Sequence, residues 1–336
     1  MSAAPAASTA HVPVLLQEAM EALDPRESGV YVDGTFGAGG YTRALLDRGA
    51  RVIALDRDPS AIRAGEALVT LSSGQLELVE ARFGELDEVV KRLGVGAVDG
   101  VVLDIGVSSM QLDEAARGFS LRFDAALDMR MGSSGRSAAD ILRDEDEATI
   151  ADILFHFGEE RASRRIARAI VADRETKPFT STLELAGMIA RVAPARRGEL
   201  THPATRAFQA LRIAVNDELG ELARGLFAAE LLLKPGGRLV VVTFHSLEDR
   251  IVKQFFAGRS GRGRAASRRL PGEPVEAEPT FEVPRGQPIE TSAAEASANP
   301  RSRSAKLRFG VRTSAPPQGR DQGIEALARL PARRGR

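Results

Sequence analysis

The chain contains no cysteine. That excludes disulfides, thiolate metal sites and a thiol nucleophile together, and with the nucleophile goes the usual covalent route to carbon 5 of a pyrimidine. It also lacks net charge, because 46 basic residues balance 46 acidic ones. Any attraction to nucleic acid must therefore come from local clusters rather than a global field. Long apolar runs are missing too: Leu239–Val242 is strand-sized and far too short to span a bilayer. The opening MSAAPAASTA has neither a basic start nor an apolar middle, so no signal peptide is expected and the expected location is the cytoplasm. Lysine is scarce, with five in all (91, 177, 234, 253 and 306), so Arg supplies nearly all the positive charge. Guanidinium suits bidentate phosphate contacts, although a codon bias toward Arg would give the same composition.

What is present reads as a globular α/β protein. Short β-branched runs alternate with amphipathic stretches over the first hundred residues, the pattern of a parallel sheet. Strands are expected at Val30–Asp33, Arg51–Asp56, Leu76–Glu80 and Val101–Ile105, with helices near Thr42–Arg48, Ser60–Leu71 and Leu86–Leu93. The alternation then stops. Residues 113–200 are rich in Ala, Arg, Glu and Asp, with helices expected over Ile141–Phe155 and Glu160–Asp173. A long helix should begin at His202-Pro203, bury Phe208, Leu211, Val215, Leu219, Leu222 and Leu226, and stop at Lys234-Pro235-Gly236-Gly237. Sheet-like sequence returns at Gly237–Phe244 and again at Ser304–Val311.

Between the first strand and the next helix lies Asp33-Gly34-Thr35-Phe36-Gly37-Ala38-Gly39-Gly40-Tyr41. Glycines there permit positive φ and let a ligand lie against bare backbone. Asp56 ends the second strand, nineteen residues after Gly37, where a carboxylate accepts the ribose hydroxyls of a bound nucleoside. NAD and S-adenosylmethionine both use such an acid. A dinucleotide fingerprint needs a third glycine where Thr42 stands, and Asp33 would repel a diphosphate but attract a sulfonium and an ammonium. The methyl donor is the better fit. Phe83 could cover an adenine or simply pack in the core, and Asp104 places a further carboxylate at the carboxyl end of the sheet.

From Asp104 the chain continues IGVSSMQLD, then RGFS (117–120) and LDMRM (127–131). Together with HVPVLL (11–16), VDGTFGAGG (32–40), LDRDP (55–59), HPATRAFQALRIAVNDEL (202–219) and FHSLEDRIVK (244–253), this resembles the bacterial 16S ribosomal RNA cytosine-N4 methyltransferases, the family called H or MraW. The resemblance runs from His11 to about Arg312. It implies a class I, Rossmann-like methyltransferase sheet using S-adenosylmethionine and carrying an inserted helical domain. It also implies methylation of N4 of a cytidine in the decoding centre of 16S rRNA (cytosine 1402 in that family) within the small ribosomal subunit. The expected division is a methyltransferase domain of 1–112 and 208–313, an inserted domain of 113–207, a flexible loop of 258–300 and a disordered tail of 314–336. Carried over by motif, the donor-binding set is Gly37, Gly39, Gly40, Tyr41, Asp56, Phe83, Asp104 and Gln111. Tyr41 stands where the family often has His, and Met110 where many members have Pro.

Methyl transfer is an in-line displacement, so catalysis is largely alignment. Cytosine N4 is a poor nucleophile, and an enzyme must accept hydrogen bonds from it. Asp104 and Ser108 are the candidates, since the loop lacks the proline-aromatic motif of DNA amino-methyltransferases. His245 is a candidate for orienting the base or relaying a proton, or else a structural cap. His202 belongs to a helix entrance, and His156 sits in a helical run without a role. No metal is expected. For RNA, Arg161, Arg164, Arg165, Arg168 and Arg174 share one helix, where pairing with Glu159 and Glu160 is the competing reading. Arg259, Arg262, Arg264, Arg268 and Arg269, with Arg301 and Arg303, form a second group. Arg206, Gln209, Arg212 and Asn216 share a polar helix face that would line the substrate cleft. A homodimer is carried as an expectation; no membrane partner is. The rivals are an NAD-dependent oxidoreductase and a non-catalytic RNA-binding protein.

Overall fold

Aliphatic runs with buried side chains build the centre of the molecule. In the computed structural model, which describes residues 13–108, 111–112, 114–195, 198, 201–261 and 277–332, they form β1 (Val30–Asp33), β2 (Arg51–Asp56), β3 (Leu76–Glu80) and β4 (Val98–Asp104). The fifth strand, β5 (Leu233–Thr243), pairs in parallel with β4. Short strands β6 (Phe281–Glu282) and β7 (Ile289–Glu290) pair with β8 (Lys306–Arg312), which runs antiparallel to β5. The order is β3-β2-β1-β4-β5-β8-β6. Strand order therefore reverses at β1, whose neighbours are β2 and β4. Open α/β sheets bind ligands beyond the carboxyl ends of the strands at such a reversal.

Helices α1 (Leu16–Leu23), α2 (Gly40–Leu46), α3 (Pro59–Leu71) and α4 (Leu86–Arg92) flank the sheet. Between β4 and β5 come α5 (Ala138–Asp144), α6 (Glu147–Gly158), α7 (Ser163–Arg174), α8 (Thr182–Val192) and α9 (Thr205–Asn216); α10 (Glu218–Leu232) then returns the chain to the sheet. The helix expected over Ile141–Phe155 is two, because Asp146 is extended and its Oδ1 accepts the Thr149 N–H at 2.6 Å, starting α6 afresh. The long helix expected after Pro203 is likewise broken, at Asp217, whose φ is +51°. Its apolar stripe is still buried, Val215 only partly; α9 packs along α6 while α10 packs on α4. Lys234-Pro235-Gly236-Gly237 lies inside β5 rather than before it. A register shift with Gly236 at φ +83° accommodates Pro235 there.

The C-terminal region differs most from expectation. Within the loop expected over 258–300, residues 277–300 contain β6, β7 and α12 (Ala293–Ala298). Within the tail expected to be disordered, α13 (Gln322–Leu327) buries Ile324. The physical reason is the buried Glu230 carboxylate. It accepts Arg259 Nε at 3.0 Å and Thr280 Oγ1 at 2.6 Å, while its carbonyl accepts Arg312 Nε at 3.1 Å. Arg259 also donates to the Gln318 side chain and the Gly319 carbonyl, tying the tail to α10. Arg259 is 4% exposed, so it is a structural residue and not the RNA contact expected of it. Arg262, Arg264, Arg268 and Arg269 lie outside the described residues. No described helix is long and apolar enough to cross a membrane.

Removing one partner of a buried pair strands the other charge. Glu230→Ala should therefore destabilise the protein by about 3–5 kcal/mol in urea unfolding. A loss below about 1 kcal/mol would show that the buried Arg259 finds other acceptors.

Candidate active site

The turn after β1 is shaped by two carboxylates that bind backbone. Asp33, fully buried, accepts the Thr35 N–H at 3.1 Å through Oδ1 and the Thr42 hydroxyl at 2.7 Å through Oδ2. Asp56 accepts the Gly37 N–H through Oδ2 and the Asp58 N–H through Oδ1, both at 2.8 Å. The second strand thus holds the glycine loop in place. Gly39 opens α2 at φ +76°, and a Cβ on Gly40 would lie 2.0 Å from Pro13 Cγ. Only glycine fits those two positions.

Tyr41 is buried and its hydroxyl donates to the Val14 carbonyl. The ring lies in the core, so the departure from His falls on a buried packing position. Phe83 opens a 3-10 turn at the end of β3. Its Cβ lies over Gly34, and its ring is so close to α10 that a Cβ on Gly225 would sit 2.7 Å from it.

Asp104 ends β4 directly beside the loop. Its N–H donates to Thr35 Oγ1 at 2.8 Å, and its buried Oδ1 has no hydrogen-bond partner among the described residues. Burial, then the carboxylates of Asp33 and Glu248, push its pKa well above the usual carboxylate range. Burial likewise raises Asp33 to about 6 and raises Asp56, against the hydrogen bonds they accept. Ser108 accepts the Gln111 N–H at 3.2 Å on its hydroxyl, and its own N–H donates to Gln111 Oε1 at 3.1 Å. Gln111 Nε2 donates to Asp58 Oδ2 at 2.9 Å. Both polar ends of Gln111 are engaged within the protein.

His245 follows β5 and caps α11 (Ser246–Arg259). Its Nδ1 accepts the Glu248 N–H at 3.4 Å, while Glu248 Oε2 accepts the N–H of Phe244 at 2.8 Å and of His245 at 3.2 Å. His245 Nε2 stands 3.0 Å from Glu248 Oε1, at an angle too poor for a hydrogen bond. Burial alone would raise Glu248, but His245 and Arg212 hold it below the ordinary range. Oxygen and nitrogen donors of Glu218, His245 and Glu248 lie within 4.8 Å of one another. Arg212 already forks onto Glu218, at 2.8 and 2.9 Å, so a guanidinium supplies the positive charge there.

Sequence reasoning missed the residues that join the helical insertion to this rim. Arg117 donates to Asp58 at 3.0 Å and to the carbonyls of Arg130 and Met131. Asn216 accepts the Met131 N–H at 2.8 Å and donates to the Met129 carbonyl at 2.7 Å. Arg57, next to Asp56, donates to the Asn216 carbonyl and to Glu221. The sequence signal was the Asp58-Pro59 pair, a helix N-cap with Pro at the first position. Asn216 and Gln209 bond inward, and Arg212 is paired, so of the polar face expected to line a cleft only Arg206 is exposed.

A buried acid with a raised pKa binds its proton more tightly folded than unfolded, so stability rises as pH falls through the folded value toward the unfolded one. Asp33 should thus add stability between pH 6 and pH 4, up to about 3 kcal/mol. Asp33→Asn should lack this gain, and the stability difference between the two proteins should change across that window. A pH-independent difference would contradict the buried acid.

The MraW methylase family model matches residues 8–313. The ribosomal RNA small subunit methyltransferase H of Methylocella silvestris is 66% identical over 324 residues, covering 96% of this chain and 93% of the relative. The protein of that description from Methylorubrum extorquens is 60% identical over 332 residues, covering 98% and 95%. Among solved structures, an rRNA methylase from Streptococcus thermophilus is 10% identical at a TM-score of 0.36, covering 89% and 94%. On the match across most of its length and the high identity to full-length relatives, the chain belongs to the MraW methylase family.

Proposed function

We propose that this protein transfers a methyl group from S-adenosylmethionine to the exocyclic N4 of a cytidine, cytosine 1402 of the family's substrate, in 16S rRNA of the small ribosomal subunit. One observation carries the reading: a buried carboxyl oxygen of Asp104 without a partner among the described residues, at the strand-order reversal beside the glycine loop. The residues present fit the donor. Asp56 rims the loop as a ribose acceptor, Gly37, Gly39, Gly40 and the backbone of Tyr41 offer a bare surface, and Phe83 and Gln111 flank it. When bound, the donor supplies an electrophilic methyl group on a sulfonium. The acidic lining opposes a diphosphate, which argues against the NAD reading.

Asp104 is the acceptor for the amino protons of the base in this mechanism. Burial and the carboxylates of Asp33 and Glu248 favour its protonated form, and a cation beside Asp33 and Asp104 would favour their ionised forms. The carboxylate then accepts from the cytosine amino group and favours the pyramidal nitrogen that displacement needs. Ser108 closes this loop and can donate its hydroxyl to the base. His245 orients the base, with Glu248 fixing the ring. The helical insertion, 113–207 by sequence and ending by packing at Asn216, presents the RNA together with Arg301 and Arg303. The ribosomal substrate implies a cytoplasmic location.

The test is to incubate the protein and methyl-labelled donor with unmodified small subunits, digest the RNA and identify the labelled nucleoside. N4-methylcytidine is expected. Label on carbon 5, on ribose or on no RNA would overturn the reading. Asp104→Asn should lower kcat by about 100-fold or more, the scale of a positioned proton acceptor, while leaving the KM for subunits nearly unchanged.

A further inference from the structure

Helix α6 buries Ile150, Ile153, Leu154 and Phe157 but leaves Phe155 53% exposed. His156 stands edge-on to that ring, 5.0 Å between centroids at 89°. Across a groove of about 690 Å³, α7 and the turn before it present Arg161, Arg164 and Arg165. All three are exposed and make no ion pair among the described residues. Their neighbours behave differently: Arg136, Arg143, Arg168 and Arg191 pair with carboxylates, and Arg174 donates to the Leu142 and Glu145 carbonyls. Asp152 is the acid in the groove lining, against three guanidiniums.

Helix α6 ends against the start of α11, next to His245. Four residues after Phe155, Glu159 ends α6 at φ +50° and accepts the Ser246 hydroxyl at 2.8 Å, beside His245. Along the axis of α6, Glu159 lies one helical turn, about 6 Å of rise, beyond Phe155, and its bond to Ser246 joins the insertion to α11. An aromatic ring flanked by guanidiniums free of carboxylates is the chemistry of a single-strand platform, in which a base stacks and neighbouring phosphates are gripped.

Resting on the function proposed above, we infer that the Phe155–Arg165 groove docks the single-stranded rRNA segment flanking the target cytidine. Phe155 stacks a base, and Arg161, Arg164 and Arg165 hold the adjoining phosphates. A second copy of the chain is the poorer occupant, because a two-fold contact would bring these arginines against their own equivalents.

The test uses the full chain, methyl donor and unmodified small subunits. Phe155→Ala should raise the KM for subunits roughly tenfold, the scale of one lost stacking contact, with kcat and donor affinity unchanged. Phe155→Trp should restore it. Replacing Arg164 and Arg165 by Ala should flatten the dependence of log affinity on log salt by about 1.4 units. Normal transfer with an unchanged KM in Phe155→Ala overturns the platform alone. A change in sedimentation on Phe155→Ala, without a KM effect, assigns the ring to self-association instead. Absence of transfer by the wild type overturns the function and, with it, this surface.

Discussion

Buried carboxylates at the carboxyl ends of parallel strands are the constraint on which this molecule turns. Asp33, Asp56 and Asp104 end β1, β2 and β4, the strands on either side of the order reversal. Such groups are costly to bury charged unless hydrogen bonds or cations compensate. Here backbone and hydroxyl donors do so for two of them, and in doing so fix the glycine loop. The third remains uncompensated on one oxygen among the described residues. A cationic ligand beside this rim relieves the electrostatic cost, and an anionic one increases it.

The helical insertion shares one apolar cluster with the sheet, and polar contacts of its root tie it to that rim. Asn216 ties residues 129 and 131 together, Arg57 reaches Asn216 from the residue next to Asp56, and Arg117 ties the loop to Asp58. The far end of the insertion touches α11 through Glu159 and Ser246. Asp58, Arg117, Met131, Asn216 and Arg57 thus form one connected set of hydrogen bonds. A shift at the insertion reaches Asp56 and Gln111 through few intermediates.

Much of this was legible in the chain. Alternating apolar runs set the strands, and Asp33, Asp56 and Asp104 were placed correctly because each closes such a run. The breaks at Asp146 and Asp217 were not legible, since apolar spacing continues across both and only side-chain capping or a left-handed residue interrupts the helix. Arg259 was misread because its neighbours in sequence are Gly and Arg, whereas its partners Glu230, Gln318 and Gly319 are distant in the chain. Tyr41 and Gln111 were assigned to the donor by motif, yet their side chains bond Val14, Ser108 and Asp58. Phe155 is invisible to periodicity, because an exposed aromatic among buried ones differs only in the face it occupies.

The acidic rim of the sheet is thus proposed as the site of a cationic nucleoside donor. Calorimetric titration of the full chain with S-adenosylmethionine, and in parallel with NAD, tests it most directly. One saturable site per chain is expected for S-adenosylmethionine, weakened by Asp56→Ala, with no binding of NAD. Binding of NAD, or donor affinity indifferent to Asp56, would contradict it.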